Sequence, residues 1–488
     1  MQFSLMANYW HEETTIAEIH QAYDDGKLTA KNLVLYYLNR IALWDQDGPY
    51  INAVSDINPD ALPIAEALDK ERAQNGRRGA LHGIPILLKE NIGTADKMPT
   101  PAGSIALENW RSREDAFLVK QLRDAGAIIL GKTNMTELAH RIGTNMPENY
   151  SSRGGYVLCP YGTQFDVGGS STGSAAAVAA NFAPVSIGTD TSGSLLNPAT
   201  RNSLVTVKPT IGLVSRTGII PLSYAQDAAG PMTQTVADAA HLLGVIAGKD
   251  SQDAETKTQP LKIPNYVDTL RKDGAEGKRI GIFRDYQPNM SDQIDLTLYE
   301  ETVLRLKDLG ATLVDSVSIP AINRGDGDAV VSYESRHSLN NFFARADPFT
   351  GFYSFDEFLQ SYEDHSHLHK YGYDRLRVRT SVENSLSNAS YLVQKLRDEG
   401  LDDPQSLDNV LQDQALDAVL FPSSSSYDVA ARAGLPSITV PAGYKENGRP
   451  FGITLTGNAF SEETLFQIAF AYEQATMLRK KPDITQQP

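Results

Sequence analysis

The sequence is short of the residues that staple small or secreted domains. It has one cysteine, Cys159, in 488 residues, which excludes an internal disulfide and any multi-cysteine zinc or iron–sulfur centre and fits a reducing compartment. Basic residues are in deficit. Against 60 Asp and Glu stand 44 Lys and Arg, a net charge of −16, which argues against a nucleic acid or an anionic membrane surface as main partner. No apolar run reaches the ~18 residues of a membrane span. The opening MQFSLMANYWHEETT has neither a basic n-region nor a sustained apolar h-region, so no signal peptide is expected. There is no tandem repeat and no Gly/Ser- or Pro-rich linker. These absences predict a cytoplasmic protein. At this length the chain is one large domain or two to three ordinary ones, with nothing within residues 1–488 that marks a cut, and either way it buries about three quarters of its unfolded surface.

What the chain does have is alternation. Thr29 is placed to cap a helix through LTAKNLVLYYLNRI, followed by the alternating stretch INAVSDI and a helical run after Pro59. GIPILLK reads as a buried strand ending at Lys89. DAFLVKQLRDAGAIILGKTN reads as a helix stopped at Gly126 and a strand from Ile128 to Leu130, and the same grammar returns around Gly310. KRIGIFRDY and LDAVLFP add strands, and SEETLFQIAFAYEQAT a helix capped at Ser461. Strands alternating with helices predict an α/β protein with a largely parallel or mixed sheet.

The segment GGSSTGSA, Gly168 to Ala175, contains a Gly-x-Ser-x-Gly pattern centred on Ser171. As a nucleophile elbow it requires an acid and then a histidine downstream. Histidine is scarce, and after Ser171 it occurs only at 241, 337, 365, 367 and 369, none near the C-terminus. The preceding YGTQFDV is also a poor strand, which disfavours the elbow. PVSIGTDTSGS offers another site: a strand from Val185 to Gly188, the polar turn Thr189 to Gly193, then Ser194. Backbone amides converging in such a turn can hold an anion, so a serine there can attack a carbonyl while amides bind the oxyanion. A purely structural turn is equally consistent with the composition. Without histidine the base must be another group. Lysine serves only if neutral, with its pKa lowered from about 10.4 by desolvation or nearby positive charge. Lys89, Lys132 and Lys208 all follow apolar stretches, and spacing does not choose among them.

Taken together, GIPILLKEN, GGSSTGSAAAVAAN, GTDTSGS, VKPTIGLVSRTGIIP, SYAQDAAGPMTQTVADAA and LPSITVPAGY resemble the amidase signature family, from about Leu28 to Lys480. The resemblance implies a single α/β/α domain whose large mixed sheet is covered by helices on both faces. It also implies amide hydrolysis through an acyl-enzyme, without a cofactor or metal. Carried over residue by residue, it makes Ser194 the nucleophile. Ser170, on a cis peptide bond after Gly169, relays the proton to neutral Lys89. The amides of Thr191, Ser192, Gly193 and Ser194 form the oxyanion hole, with Ser171 and Asp190 in support. SSRGGY at 151–156 and GSLLNPA at 193–199 look most like peptide amidases, which act on C-terminal carboxamides. Leu196 stands where an arginine is usual, as it does in peptide amidases. Thr172, Cys159 and Gln234 also depart from the commonest residues, and none of these touches a catalytic position.

Other readings stay open. An amidase of small aliphatic, aryl or carbamate substrates fits the same motifs. So does an A-type amidotransferase subunit, which would need a partner where a peptide amidase needs none. A non-catalytic binding protein on the same scaffold is a remote alternative. Between Phe342 and Tyr373 lie ten of the forty aromatics, without a clean period. This belongs to a variable segment of about 320–405, read either as a helical insert with its own small core or as a wall of the substrate pocket. His365, His367 and His369 read as a solvated polar stretch, with a metal site as the alternative.

Overall fold

The computed structural model describes residues 12–285, 295–323, 329–345, 351–381, 385–401, 403 and 405–486. Most of the opening stretch, residues 1–11, where no signal peptide was expected, lies outside them, as do five residues within the aromatic segment.

Thirteen strands occur among the described residues: β1 Val54–Ile57, β2 Pro85–Lys89, β3 Ile128–Thr133, β4 Tyr150–Ser151, β5 Gly155–Tyr156, β6 Val185–Asp190, β7 Val205–Lys208, β8 Ala228–Thr233, β9 Arg279–Phe283, β10 Thr312–Val317, β11 Ala418–Pro422, β12 Ser437–Tyr444 and β13 Pro450–Thr456. Eleven form one sheet in the order β1-β3-β2-β6-β8-β7-β12-β13-β11-β9-β10, while β4 and β5 make a separate ribbon. The sheet is mixed. β2 runs parallel to both β3 and β6, and β9 to β10 and β11, whereas the β8-β7-β12-β13 centre is antiparallel. β2 and β6 are continuous runs of buried residues because both of their faces are covered, whereas β10, at the edge of the sheet, is only partly buried. On one face, Val185, Ile187, Val205, Val207 and Ala229 join the main core with residues of the helices Val236–Ile246 and Glu462–Thr476. On the other, Met232 packs with Ala175, Val178, Ala179, Leu195 and Ala199, around the short helices Thr172–Ala179 and Leu196–Arg201.

Local signals explain the element ends. The Thr29 hydroxyl accepts from Asn32 N at 3.1 Å and opens the helix Ala30–Arg40. Gly126 and Gly310 follow their helices at φ +86° and +87°, the left-handed conformation that suits glycine at a helix stop. Ser461 differs from expectation. It precedes the helix Glu462–Thr476 at φ −96°, ψ 22°, and its hydroxyl donates back to Asn458 O at 2.6 Å instead of accepting a helix amide.

The described part of the variable segment, about 320–405, is largely helical, at Ala329–Arg345, Phe355–Asp364, Asp374–Arg379 and Ala389–Asp398. Phe343, Phe355, Phe358 and Tyr362 build a second core with Leu107, Trp110, Met135, Met146 and Tyr150, so the insert shares its interior with the 102–150 loops. A polar contact joins the halves: Tyr362 Oη donates to Glu137 Oε1 at 2.6 Å, and burial pushes that carboxyl up to about 7. His369 stacks on Tyr362 at 4.1 Å, and burial lowers its pKa to about 4, whereas His365 and His367 stand on an exposed stretch. Among the described residues no three His, Cys, Asp or Glu side chains are grouped to hold a metal ion. No helix among them is long and apolar enough to cross a membrane. Cys159 is buried, its Sγ 3.9 Å from Arg201 O.

Candidate active site

Three pieces of chain meet where β2 and β6 end. Lys89 is the last residue of β2 and fully buried. β6 runs to Asp190, two residues further than expected, and passes into the turn Thr191–Ser194. The loop Gly168–Ser171 leads into the helix Thr172–Ala179, whose small side chains let it lie close to the sheet; a Cβ on Gly173 would fall 2.2 Å from Ala53 O.

The Gly169–Ser170 peptide is cis. Lys89 Nζ lies 2.7 Å from Ser170 Oγ, 3.0 Å from Ser171 Oγ and 3.2 Å from Thr189 O. Ser171 N donates to Ser194 O at 3.3 Å, which sets the Ser194 backbone against the same loop. Ser171 is tied elsewhere: its Oγ donates to Thr189 O at 2.9 Å and accepts from Thr189 N at 3.2 Å. The residues ahead of it form turns rather than a strand, so the elbow geometry is missing.

Asp190 shapes the turn. Its Oδ1 accepts from Gly193 N at 2.9 Å and its Oδ2 from Leu195 N at 2.6 Å. The Gly193 amide, grouped with the oxyanion donors in the sequence reading, is therefore turned toward Asp190. Among the described residues nothing accepts from the amides of Thr191, Ser192 or Ser194. Gly193 has φ +94°, and a Cβ there would sit 2.9 Å from Tyr427 Cβ, so both the conformation and the space require glycine.

The three lysines left open by spacing are all fully buried. Desolvation pushes Lys89 down to about 7 against the opposing pull of Asp190, Asp227 and Glu90, and pushes Lys132 and Lys208 to about 8. Contacts separate them. Lys132 donates to Ile92 O and Thr100 Oγ1, and Lys208 to Pro209 O at 3.3 Å. Among the described residues, Lys89 alone of the three meets a serine.

A cavity of about 470 Å³ opens beside the turn. It is lined by Asn91, Thr189, Thr191 and Asp227 together with Trp110, Ile220, Tyr224 and Phe342. Asn91 Nδ2 donates to Thr189 Oγ1 at 3.1 Å. Sequence reasoning gave no role to Asn91 or Asp227. Both sit inside quoted motifs, next to Lys89 and in SYAQDAAGP, and that adjacency was the available signal.

A family model described as Amidase matches residues 32–431. The chain belongs to the amidase family. A probable amidase of Arabidopsis thaliana is 36% identical over 99% of this chain and 93% of its own length. The solved peptide amidase from Stenotrophomonas maltophilia superposes with a TM-score of 0.90 at 39% identity, covering 97% of this chain and 99% of that one. A glutamyl-tRNA(Gln) amidotransferase subunit of Prochlorococcus marinus is 34% identical over 96% of this chain and 100% of its own length. This amidase is an amide hydrolase with the fold of the peptide amidase, an eleven-stranded mixed sheet between helices.

Proposed function

We propose that this amidase hydrolyses carboxamides, with C-terminal amides of peptides as the preferred class, through an acyl-enzyme on Ser194. The observation that carries the reading is the 2.7 Å contact of Lys89 Nζ with Ser170 Oγ, beside a turn with open amides. Lys89 enters the cycle neutral and takes the Ser170 proton as Ser170 takes that of Ser194. Ser194 Oγ bonds to the carbonyl carbon, and the amides of Thr191, Ser192 and Ser194 stabilise the oxyanion. The proton returns through Ser170 to the leaving nitrogen as the C–N bond breaks, releasing ammonia from a carboxamide. Water then cleaves the ester by the same path and restores Ser194.

The peptide preference is supported by the likeness to the peptide amidase and by the partly aromatic cavity, where Trp110 and Phe342 meet edge to face at 5.3 Å. In this reading the segment from about 320 to 405 is a wall of the substrate cavity. The likeness to the amidotransferase chain favours a second reading, in which ammonia passes to a partner. Ammonia release by the purified chain from amidated dipeptides, propionamide, aryl amides and glutamine distinguishes them. The expected outcome is fastest turnover of amidated dipeptides without any added protein. Turnover of glutamine alone, dependent on a partner, would replace this reading by the second.

A further inference from the structure

Asp227 takes no part in the proton path, yet it lines the cavity beside the turn that carries Ser194. Its two oxygens serve different parts of the molecule. Oδ1 accepts from Thr191 Oγ1 at 2.6 Å, at the first residue of the turn. Oδ2 accepts from Leu222 N at 2.7 Å and Ser223 N at 3.0 Å, in the loop that walls the cavity. That loop is held from outside by Glu334, on the helix Ala329–Arg345. Glu334 Oε2 accepts from Ser223 Oγ at 2.6 Å and Ala225 N at 2.9 Å, and its Oε1 from Tyr391 Oη at 2.8 Å.

The open amides of Thr191 and Ser192 have no internal acceptor to fix their direction among the described residues. Asp190 pins the far end of the turn through Gly193 and Leu195; the near end is pinned by the Thr191 hydroxyl on Asp227. Hydrogen bonds weaken steeply with misalignment, and an oxyanion hole works only if its donors stand in place before charge develops. A bare carboxylate beside a developing oxyanion would oppose it, but three donors already engage Asp227.

We infer that Asp227 is a positioning residue of the oxyanion turn, acting through the Thr191 hydroxyl and linking the turn to the cavity wall. The inference rests on the Ser194 reading above, and its test keeps the two separable. Turnover of one carboxamide is measured as kcat and KM for Thr191→Val, Thr191→Ser, Asp227→Ala, the Asp227→Ala/Thr191→Val double variant and Ser194→Ala. Thr191→Val should lower kcat by about tenfold or more with KM within about twofold, since a misaligned donor loses part of what a deleted one loses. Thr191→Ser, which keeps the hydroxyl, should restore most of kcat. The double variant should be no slower than Asp227→Ala alone, because both changes cut one contact. Wild-type kcat in Thr191→Val, a raised KM at intact kcat, or losses that multiply in the double variant would each overturn the inference. If Asp227→Ala does not fold, the Thr191 pair decides alone. An active Ser194→Ala enzyme would instead remove the underlying reading.

Discussion

In the reading proposed above, the floor of the site and its aromatic wall are built in opposite ways. At the floor, Gly, Ser, Thr and Ala predominate from Gly168 to Ala180 and from Gly188 to Gly193, and functional atoms are placed by backbone hydrogen bonds and close approach. In the wall, Phe343, Phe355, Phe358 and Tyr362 fill space with large rings, and polar contacts such as Tyr362 with Glu137 join it to the body. A floor of small residues tolerates little added volume, because a Cβ on Gly168, Gly169, Gly173, Gly188 or Gly193 would come closer than 3.0 Å to a neighbouring atom. A wall of rings can exchange one shape for another and still exclude water. Chemistry is thereby fixed in one region while the cavity is adjustable in the other.

The sharpest way to break this contrast is at Ser194, the proposed nucleophile. Ser194→Ala should cost on the order of 10⁶ in kcat, and Lys89→Ala nearly as much. Lys89→Arg should not recover activity, because a guanidinium stays protonated. A tenth of wild-type turnover in folded Ser194→Ala would move the chemistry elsewhere. The next effect is pH. Burial holds Lys89 near 7, and in the proposed mechanism its neutral form is the base. Hence kcat/KM should be level above that value and fall about tenfold per unit as pH drops below it, with Lys89 and Ser170 titrating as a unit. A flat profile from pH 5 to 8 would contradict a lysine base.

In the wall, Phe358 packs against Phe343 and Tyr362 with ring centres 5.1 and 5.0 Å away. Phe358→Ala should therefore destabilise the protein by about 3–5 kcal/mol in denaturant titration. Back at the floor, Ser171→Ala should be far milder than loss of Ser194, at most about tenfold in kcat, the scale of one buried hydrogen bond. Equal losses at the two serines would revive the elbow. The smallest effect belongs to Phe342, which lines the cavity. Phe342→Ala should reorder a panel of amides by a few-fold, about 1 kcal/mol, at nearly unchanged melting temperature. A uniform loss that tracks melting would make the wall purely structural.

The floor was the more legible region. Its turns are short, and the strands flanking them were visible as apolar runs: β2 ends at Lys89 as read, while β3 and β6 begin where the sequence placed them and run three and two residues further. The choice among Lys89, Lys132 and Lys208 was not legible without the resemblance, because burial depresses all three and only a tertiary contact with Ser170 separates them. Asp227 and Glu137 escaped for a related reason: a carboxylate fixed by distant partners has no local pattern to mark it. In the wall, Phe355, Phe358 and Tyr362 are spaced by three and four and share one buried helix face. The neighbouring Phe352 and Tyr353 blur that period. At Ser461 the residue type was right for a cap but the backbone was not extended, and propensity alone does not report φ and ψ.

The solitary cysteine has a practical consequence. Burial pushes the Cys159 thiol up to about 12, and alkylating reagents attack only the thiolate. Toward a maleimide dye at neutral pH the native chain therefore behaves as if it carried no thiol. A cysteine introduced at Val378, 73% exposed in the helix Asp374–Arg379, would be the single position labelled, so fluorescence could follow the wall of the cavity while the serine, lysine and amides beneath it stay untouched.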